Sequence, residues 1–154
     1  MGCKRIITGE MAERQAMKIF EASGIKFNSD IFDELKLGEG FTVSQRDGQI
    51  KCVMQITDEI TLTVKPDFVF KDRPIIETKF PFSMSELEAG KVPNRYTFQL
   101  EATHRAFNMP VQLGLLVVPF NMRVMNYKPS GVRWNNIKKK LVEFHEEVKR
   151  INKE

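Results

Sequence analysis

The chain of 154 residues predicts one mixed α/β domain spanning residues 1–154. Three observations predict it. Apolar residues recur at helical spacing near the start. Short β-branched segments separated by turn residues then fill the middle. The second half alternates between helix-spaced and strand-length apolar patterns. The element order is α, several β, α, β, a further short β, and α, with a mixed central sheet flanked by helices.

The first helix is predicted over 8–23. Thr8 caps it, Met11, Ala12, Ala16, Ile19 and Phe20 recur at helical spacing, and Gly24 ends it. A short helix follows over Asp30 to Leu37, closed by Gly38 and Gly40. Strands are predicted over Phe41 to Arg46, Gln49 to Ile56 and Ile60 to Phe70. Asp47-Gly48 is the hairpin signal between the first two, and Asp58-Glu59 turns the next pair. A turn over Lys71 to Pro74 leads into a strand over Ile75 to Phe80, which Pro81 breaks.

Ser83 to Ala89 reads as a helical turn and Arg95 to Phe107 as a helix. Val111 to Val118 is a continuous apolar run of strand length, as expected of a strand buried on both faces. Met122 to Tyr127 is a shorter strand, and Arg133 to Lys153 a long charged helix. In that last helix Ile137, Leu141, Phe144, Val148 and Ile151 form an apolar stripe suited to a core or to a partner.

Composition narrows the function classes. A net charge of +4 permits an anionic partner without requiring one. No segment approaches the about 20 apolar residues of a membrane helix, and no signal peptide is expected, so the prediction is an intracellular, cytoplasmic protein with no membrane partner. Two separated cysteines, Cys3 and Cys52, fit a reducing compartment. There is no P-loop, no GxGxxG and no HExxH, and the two histidines, His104 and His145, have no cysteine nearby. His145 reads as a solvated side chain and His104 as helix surface or packing.

The charges of TVKPDFVFKDRPIIETKF, residues 63–80, stand out because they lie in apolar, β-branched sequence. On a strand, Glu77 and Lys79 share one face while Ile76, Thr78 and Phe80 share the other. A suitable turn or bulge would bring Asp67 opposite Glu77. Two close carboxylates repel and raise their own pKa values, and a divalent cation relieves this. Carboxylates, a hard cation and a lysine are the parts of a phosphodiester-hydrolysing site. Acid-x-Lys triplets also occur at Glu34 to Lys36 and Glu147 to Lys149, but in polar, helical contexts. Charges on a half-exposed sheet that simply face solvent are the competing account.

Pro66-Asp67 followed by Glu77-Thr78-Lys79 resembles the PD-(D/E)xK motif of the restriction-endonuclease-like nuclease superfamily. The resemblance implies an αβββαβ core, which the predicted order matches. GEMAERQAMKIFEASG, residues 9–24, resembles the first helix of archaeal Holliday junction resolvases, with Glu13 at the acidic position and Glu10 in reserve. YTFQLEATHRAF, residues 96–107, resembles the helix of RecB-type and Cas4-type exonucleases, with Gln99 at the glutamine position. Thr103 stands where that pattern often has tyrosine, and two cysteines cannot supply the Cas4 iron–sulfur site.

What the resemblance implies is a Mg²⁺- or Mn²⁺-dependent deoxyribonuclease of DNA repair or recombination, either a RecB-like exonuclease or a structure-specific endonuclease. A non-catalytic nucleic-acid-binding module of the same fold is the alternative. Asp67, Glu77 and the Thr78 carbonyl would bind metal, with Glu13 ligating directly or through water. Lys79 would position the attacking water and Gln99 would orient it or a phosphate oxygen. DNA would meet Arg46 and Lys51 on the Asp47-Gly48 hairpin and Lys138, Lys139 and Lys140 on the last helix, where a solvated face is the plainer account. Tyr127 and Trp134 suit base stacking or packing, and a homodimer would use the apolar stripe.

Overall fold

The computed structural model describes residues 13–79, 90–117 and 121–153, without the side chains of Leu116, Val117 and Asn121. Thr8, Glu10, Phe80, Pro81 and the Ser83 to Ala89 turn lie outside the described residues. Helix α1 covers residues 13–22, and Gly24 closes it at a positive φ of 70°. Strands β1 (Phe41–Arg46), β2 (Gln49–Thr57) and β3 (Ile60–Val64) form one antiparallel sheet in that order. Strands β4 (Ile75–Lys79), β5 (Val111–Val117) and β6 (Asn121–Asn126) form a second sheet, of mixed direction. Helix α2 (Thr97–Phe107) makes the crossover between parallel β4 and β5, and helix α3 (Gly131–Lys153) ends the chain. None of the helices among the described residues is long and apolar enough to cross a membrane.

The fold is thus mixed α/β, but the single central sheet expected from sequence is divided into two three-stranded sheets. Pro66 is the physical reason. It has no N–H to donate, and the ladder between β2 and β3 stops two residues before it at Cys52↔Val64. The predicted strand over Ile60 to Phe70 therefore ends at Val64. Beyond the break a single isolated backbone bridge among the described residues, Phe68↔Ile76, joins the chain to β4.

Smaller corrections have similar local causes. The helix expected over Asp30 to Leu37 is a 3-10 segment at Asn28–Glu34. Gly38 then passes so close to α2 that a Cβ there would lie 1.8 Å from the Arg105 carbonyl oxygen, while its N–H donates to the Ala106 carbonyl at 2.7 Å. Asn94–Tyr96 is a 3-10 turn leading into α2, so the regular helix starts at Thr97 rather than Arg95. Helix α3 starts two residues earlier than expected, with Ser130 Oγ accepting the Arg133 N–H at 3.2 Å. Strand β6 runs one residue earlier at both ends than expected, although the Tyr127 N–H still donates to the Val111 carbonyl.

The larger core joins both sheets to α2 and α3, through Ile50, Leu62, Ile75, Leu100, Phe107, Leu113, Trp134 and Ile137 among others. A second cluster lies on the other face of β4. There Phe20 of α1 sits with ring centroids 5.0 Å from both Phe68 and Phe70, and Phe27 is 5.6 Å from Phe68. Such edge-on aromatic pairs each add about 1 kcal/mol beyond area burial. The apolar stripe of α3 is used in part: Trp134 and Ile137 are buried and Leu141 packs on the core, whereas Phe144 and Ile151 are exposed. Cys52 is a free thiol in the core, and burial pushes its pKa up to about 12.

Candidate functional site

The division of the sheets builds the site. In an antiparallel ladder continuing from Phe68↔Ile76, Thr78 would pair with Pro66. Instead Asp67 Oδ2 accepts the Thr78 N–H at 2.8 Å and the Thr78 hydroxyl at 3.1 Å. The same register sets Asp67 opposite Glu77, whose Oε1 accepts the Asp67 N–H at 3.3 Å. Gln99, reaching from α2, donates to Glu77 Oε2 at 3.0 Å. Lys79 follows Glu77 on the same face of β4, half-buried, with its Nζ 5.9 Å from the centre of the Tyr96 ring. Asp67, Glu77, Thr78, Lys79 and Gln99 thus come together from three elements.

Glu77 is 1% exposed, so its charge has almost no water to stabilise it. Burial first, and the nearby Asp67 carboxylate second, push its pKa well above the ordinary range; the Asp67 N–H and Lys79 pull the other way. A buried carboxylate of this kind beside a second carboxylate is a hard-oxygen set that suits a divalent cation. Glu13 is exposed, one turn before buried Ala16 on the stripe that continues to Phe20. No group of three metal-ligating side chains forms among the described residues, so Glu13 does not complete a triad with Asp67 and Glu77 there.

One positioning residue escapes the sequence reading. Asn28 adopts a left-handed φ of 53° and treats the Asp67 segment as a strand partner. Its N–H donates to the Val69 carbonyl at 3.0 Å, its Nδ2 to the Asp67 carbonyl at 2.8 Å, and its Oδ1 accepts the Val69 N–H at 2.9 Å. Residues 67–69 are therefore held on one edge by β4 and on the other by a single residue, through its backbone N–H and its side chain. The available signal was an asparagine opening the polar triplet Asn28-Ser29-Asp30, since asparagine tolerates the left-handed region better than most residues.

Glu101, two residues after Gln99 on α2, is a second residue that no sequence pattern singles out. It is fully buried and accepts from Tyr127 Oη at 2.8 Å, the Ser130 N–H at 2.7 Å and Arg105 Nε at 3.0 Å. It ties α2 to the start of α3. Burial, acting most strongly, pushes the Tyr127 phenol up to about 12.

The expected DNA-facing cations lie on two elements, the β1–β2 hairpin and α3. Arg46 and Lys51 are exposed on the β1–β2 hairpin, with Arg46 3.9 Å from Asp47. Lys138, Lys139 and Lys140 diverge around α3, as successive helical residues must. Lys138 lies over the Trp134 ring at 5.4 Å, Lys139 is 3.9 Å from Glu143, and Lys140 borders a groove beside Phe98. Trp134 and Tyr127 are packed, not available for stacking. His104 Nδ1 pairs with the Met109 carbonyl at 2.8 Å, closing α2. His145, expected to be solvated, instead lies 2.6 Å from Glu59 and joins α3 to the β2–β3 turn. Compared with protein-family models, curated proteins and solved structures, the chain finds no match in any of the three.

Proposed function

We propose that the chain is a divalent-metal-dependent DNA nuclease of the PD-(D/E)xK type, with a restriction-endonuclease-like core, acting as a RecB-like exonuclease or a structure-specific endonuclease. The observation that carries this reading is the meeting of Asp67 and Glu77 across the Phe68↔Ile76 bridge, with Lys79 on the Glu77 face and Gln99 bonded to Glu77. The parallel β4–β5 pair joined through α2 agrees with it.

Asp67, Glu77 and the Thr78 carbonyl would hold Mg²⁺ or Mn²⁺, with Glu13 the further carboxylate on α1. The bound cation would supply an acidified water and charge stabilisation at phosphorus. Gln99 fixes the Glu77 carboxylate through its hydrogen bond, and Asp67 is fixed by Thr78. Lys79 contributes a positive charge on the same face, where developing phosphoryl charge would be stabilised. The alternative is a non-catalytic nucleic-acid-binding module. It draws support from the engagement of both Glu77 oxygens in internal hydrogen bonds.

Cleavage of end-labelled single-stranded, duplex, flap and four-way-junction DNA with Mg²⁺, Mn²⁺ or EDTA tests the reading. The expected result is metal-dependent cutting, reduced about 100-fold or more by Asp67→Asn and by Lys79→Ala. Cutting that survives either substitution removes the site assignment. DNA binding without cutting on every substrate leaves the binding module.

A further inference from the structure

Phe98 of α2 is 45% exposed, next in sequence to Gln99, and belongs to the walls of two grooves at once. The first groove, about 450 Å³, runs between α2 and the start of α3 and is lined by Thr97, Arg133, Asn136 and Lys140. The second, about 330 Å³, runs between β3 and α2 and is lined by Thr63, Lys65, Gln99 and Thr103. No carboxylate lines either groove among the described residues, whereas Arg133 and Lys140 border one and Lys65 the other. Arg133 is oriented by its hydrogen bond to Tyr127 Oη at 2.7 Å. Gln99 at the wall of the second groove is the residue that donates to Glu77.

We infer that these grooves form one track for a single-stranded polynucleotide, with a base stacked on Phe98 and phosphates met by Lys140 and Arg133 on one side and Lys65 on the other. An exposed ring flanked by cations binds both parts of a nucleotide, the π-face and the phosphate. Its stacking face reaches a base only when that base is free of a duplex stack. An acidic peptide would satisfy the cations but would give the ring no planar partner. The inference rests on the nuclease reading only for the nature of the site that the track approaches at Gln99.

The experiment is fluorescence anisotropy of labelled oligothymidylate in EDTA, where metal-dependent cutting is absent, with oligouridylate and a duplex in parallel. Phe98→Ala should weaken single-strand binding about tenfold and Phe98→Tyr should restore it, with duplex binding unchanged. Lys65→Gln and Lys140→Gln should each flatten the dependence of log affinity on log salt by about 0.7. Lys153→Gln, about 20 Å further along α3 than Lys140, should change neither. Thermal melts establish that each variant is folded. Whichever of the two polymers binds more tightly identifies the natural strand, and the same Phe98 dependence in it supports the track.

Unchanged affinity in folded Phe98→Ala overturns the inference. So does displacement of oligothymidylate by polyglutamate as readily as by oligouridylate. Cleavage of duplex DNA by a protein that binds no single strand overturns the track and leaves the nuclease reading intact. Phe98-dependent binding without cleavage under any metal does the reverse.

Discussion

Glu77 on β4 and Glu101 on α2 are both sealed from solvent, at 1% and 0% exposure, but their surroundings differ in kind. Glu101 has a cation, a phenol and a backbone N–H, one or more for each oxygen, and its partners join α2 to the start of α3. Glu77 has an amide and a weak 3.3 Å backbone contact, and faces another carboxylate. Burying a charge costs several kcal/mol unless partners replace water. Glu101 meets that condition within the fold. Glu77 does not, which is why its pKa is pushed up by burial and by Asp67. A fully satisfied buried acid is architecture, whereas an incompletely satisfied one leaves room for a ligand of opposite charge.

The largest expected effect tests the architectural half. Glu101→Ala leaves the Tyr127 hydroxyl and the Ser130 N–H without their acceptor and Arg105 without its counter-ion. Urea denaturation should show a loss of about 3 kcal/mol. Cleavage per folded molecule should be little changed. A loss below about 1 kcal/mol would mean that Glu101 and Glu77 are not distinct in the way described.

Asn28 comes next, because it supports the Glu77 side without belonging to it. Asn28→Ala removes two side-chain hydrogen bonds and places a Cβ residue without a local partner at φ 53°, for an expected loss of about 2 kcal/mol. Asn28→Gly recovers the backbone part, about 1 kcal/mol, but not the clamp. Mn²⁺ affinity, read by calorimetry, should stay weakened in Asn28→Gly. Wild-type affinity in that variant would show that β4 alone fixes Asp67.

Local signals carried much of this molecule. The Asp47-Gly48 hairpin, with Asp47 and Gly48 both at positive φ, gave β1 its observed bounds, and the apolar run at 111–118 gave β5 its start at Val111. The alternation of Ile76 and Glu77 placed their side chains on opposite faces, as observed, since Ile76 lies with Phe20 and Glu77 meets Gln99 of α2. What could not be read depended on distant partners. Pro66 marks a break in a strand, but nothing local says that the sheet divides there. Glu101 looks like any helical glutamate until Tyr127 and Ser130 come back to it. Lys138, Lys139 and Lys140 look alike in sequence, but only their neighbours distinguish them: Trp134 for the first, Glu143 for the second and the groove beside Phe98 for the third.

A third effect, of opposite sign, bears on Glu77 itself. Its folded pKa lies above the ordinary value of 4.5, so between those two values the folded state holds a proton that the unfolded chain has released. Stability should therefore fall as pH rises through that window. Glu77→Gln removes this slope and should be more stable than the wild type at pH values where Glu77 would be ionised. Mn²⁺ should raise the wild-type melting temperature and leave that of Glu77→Gln unchanged. A destabilised Glu77→Gln protein would place Glu77 with Glu101, as architecture.

The smallest effect separates pairing from burial. Glu59 on the β2–β3 turn has two side-chain partners on α3, Lys149 and His145, yet is exposed. Its hydrogen bond to Lys149, and then that to His145, hold its pKa below the ordinary carboxylate range. Such a shift stabilises the fold above the unfolded pKa, and that contribution is lost as pH falls through the folded value. Water and salt screen the pair, so Glu59→Gln should shift the urea midpoint only slightly at low salt and not at all at high salt. If Glu59→Gln instead cost as much as Glu101→Ala, partner number alone would set the value of a carboxylate in this fold. The contrast between Glu77 and Glu101 would then need no appeal to burial.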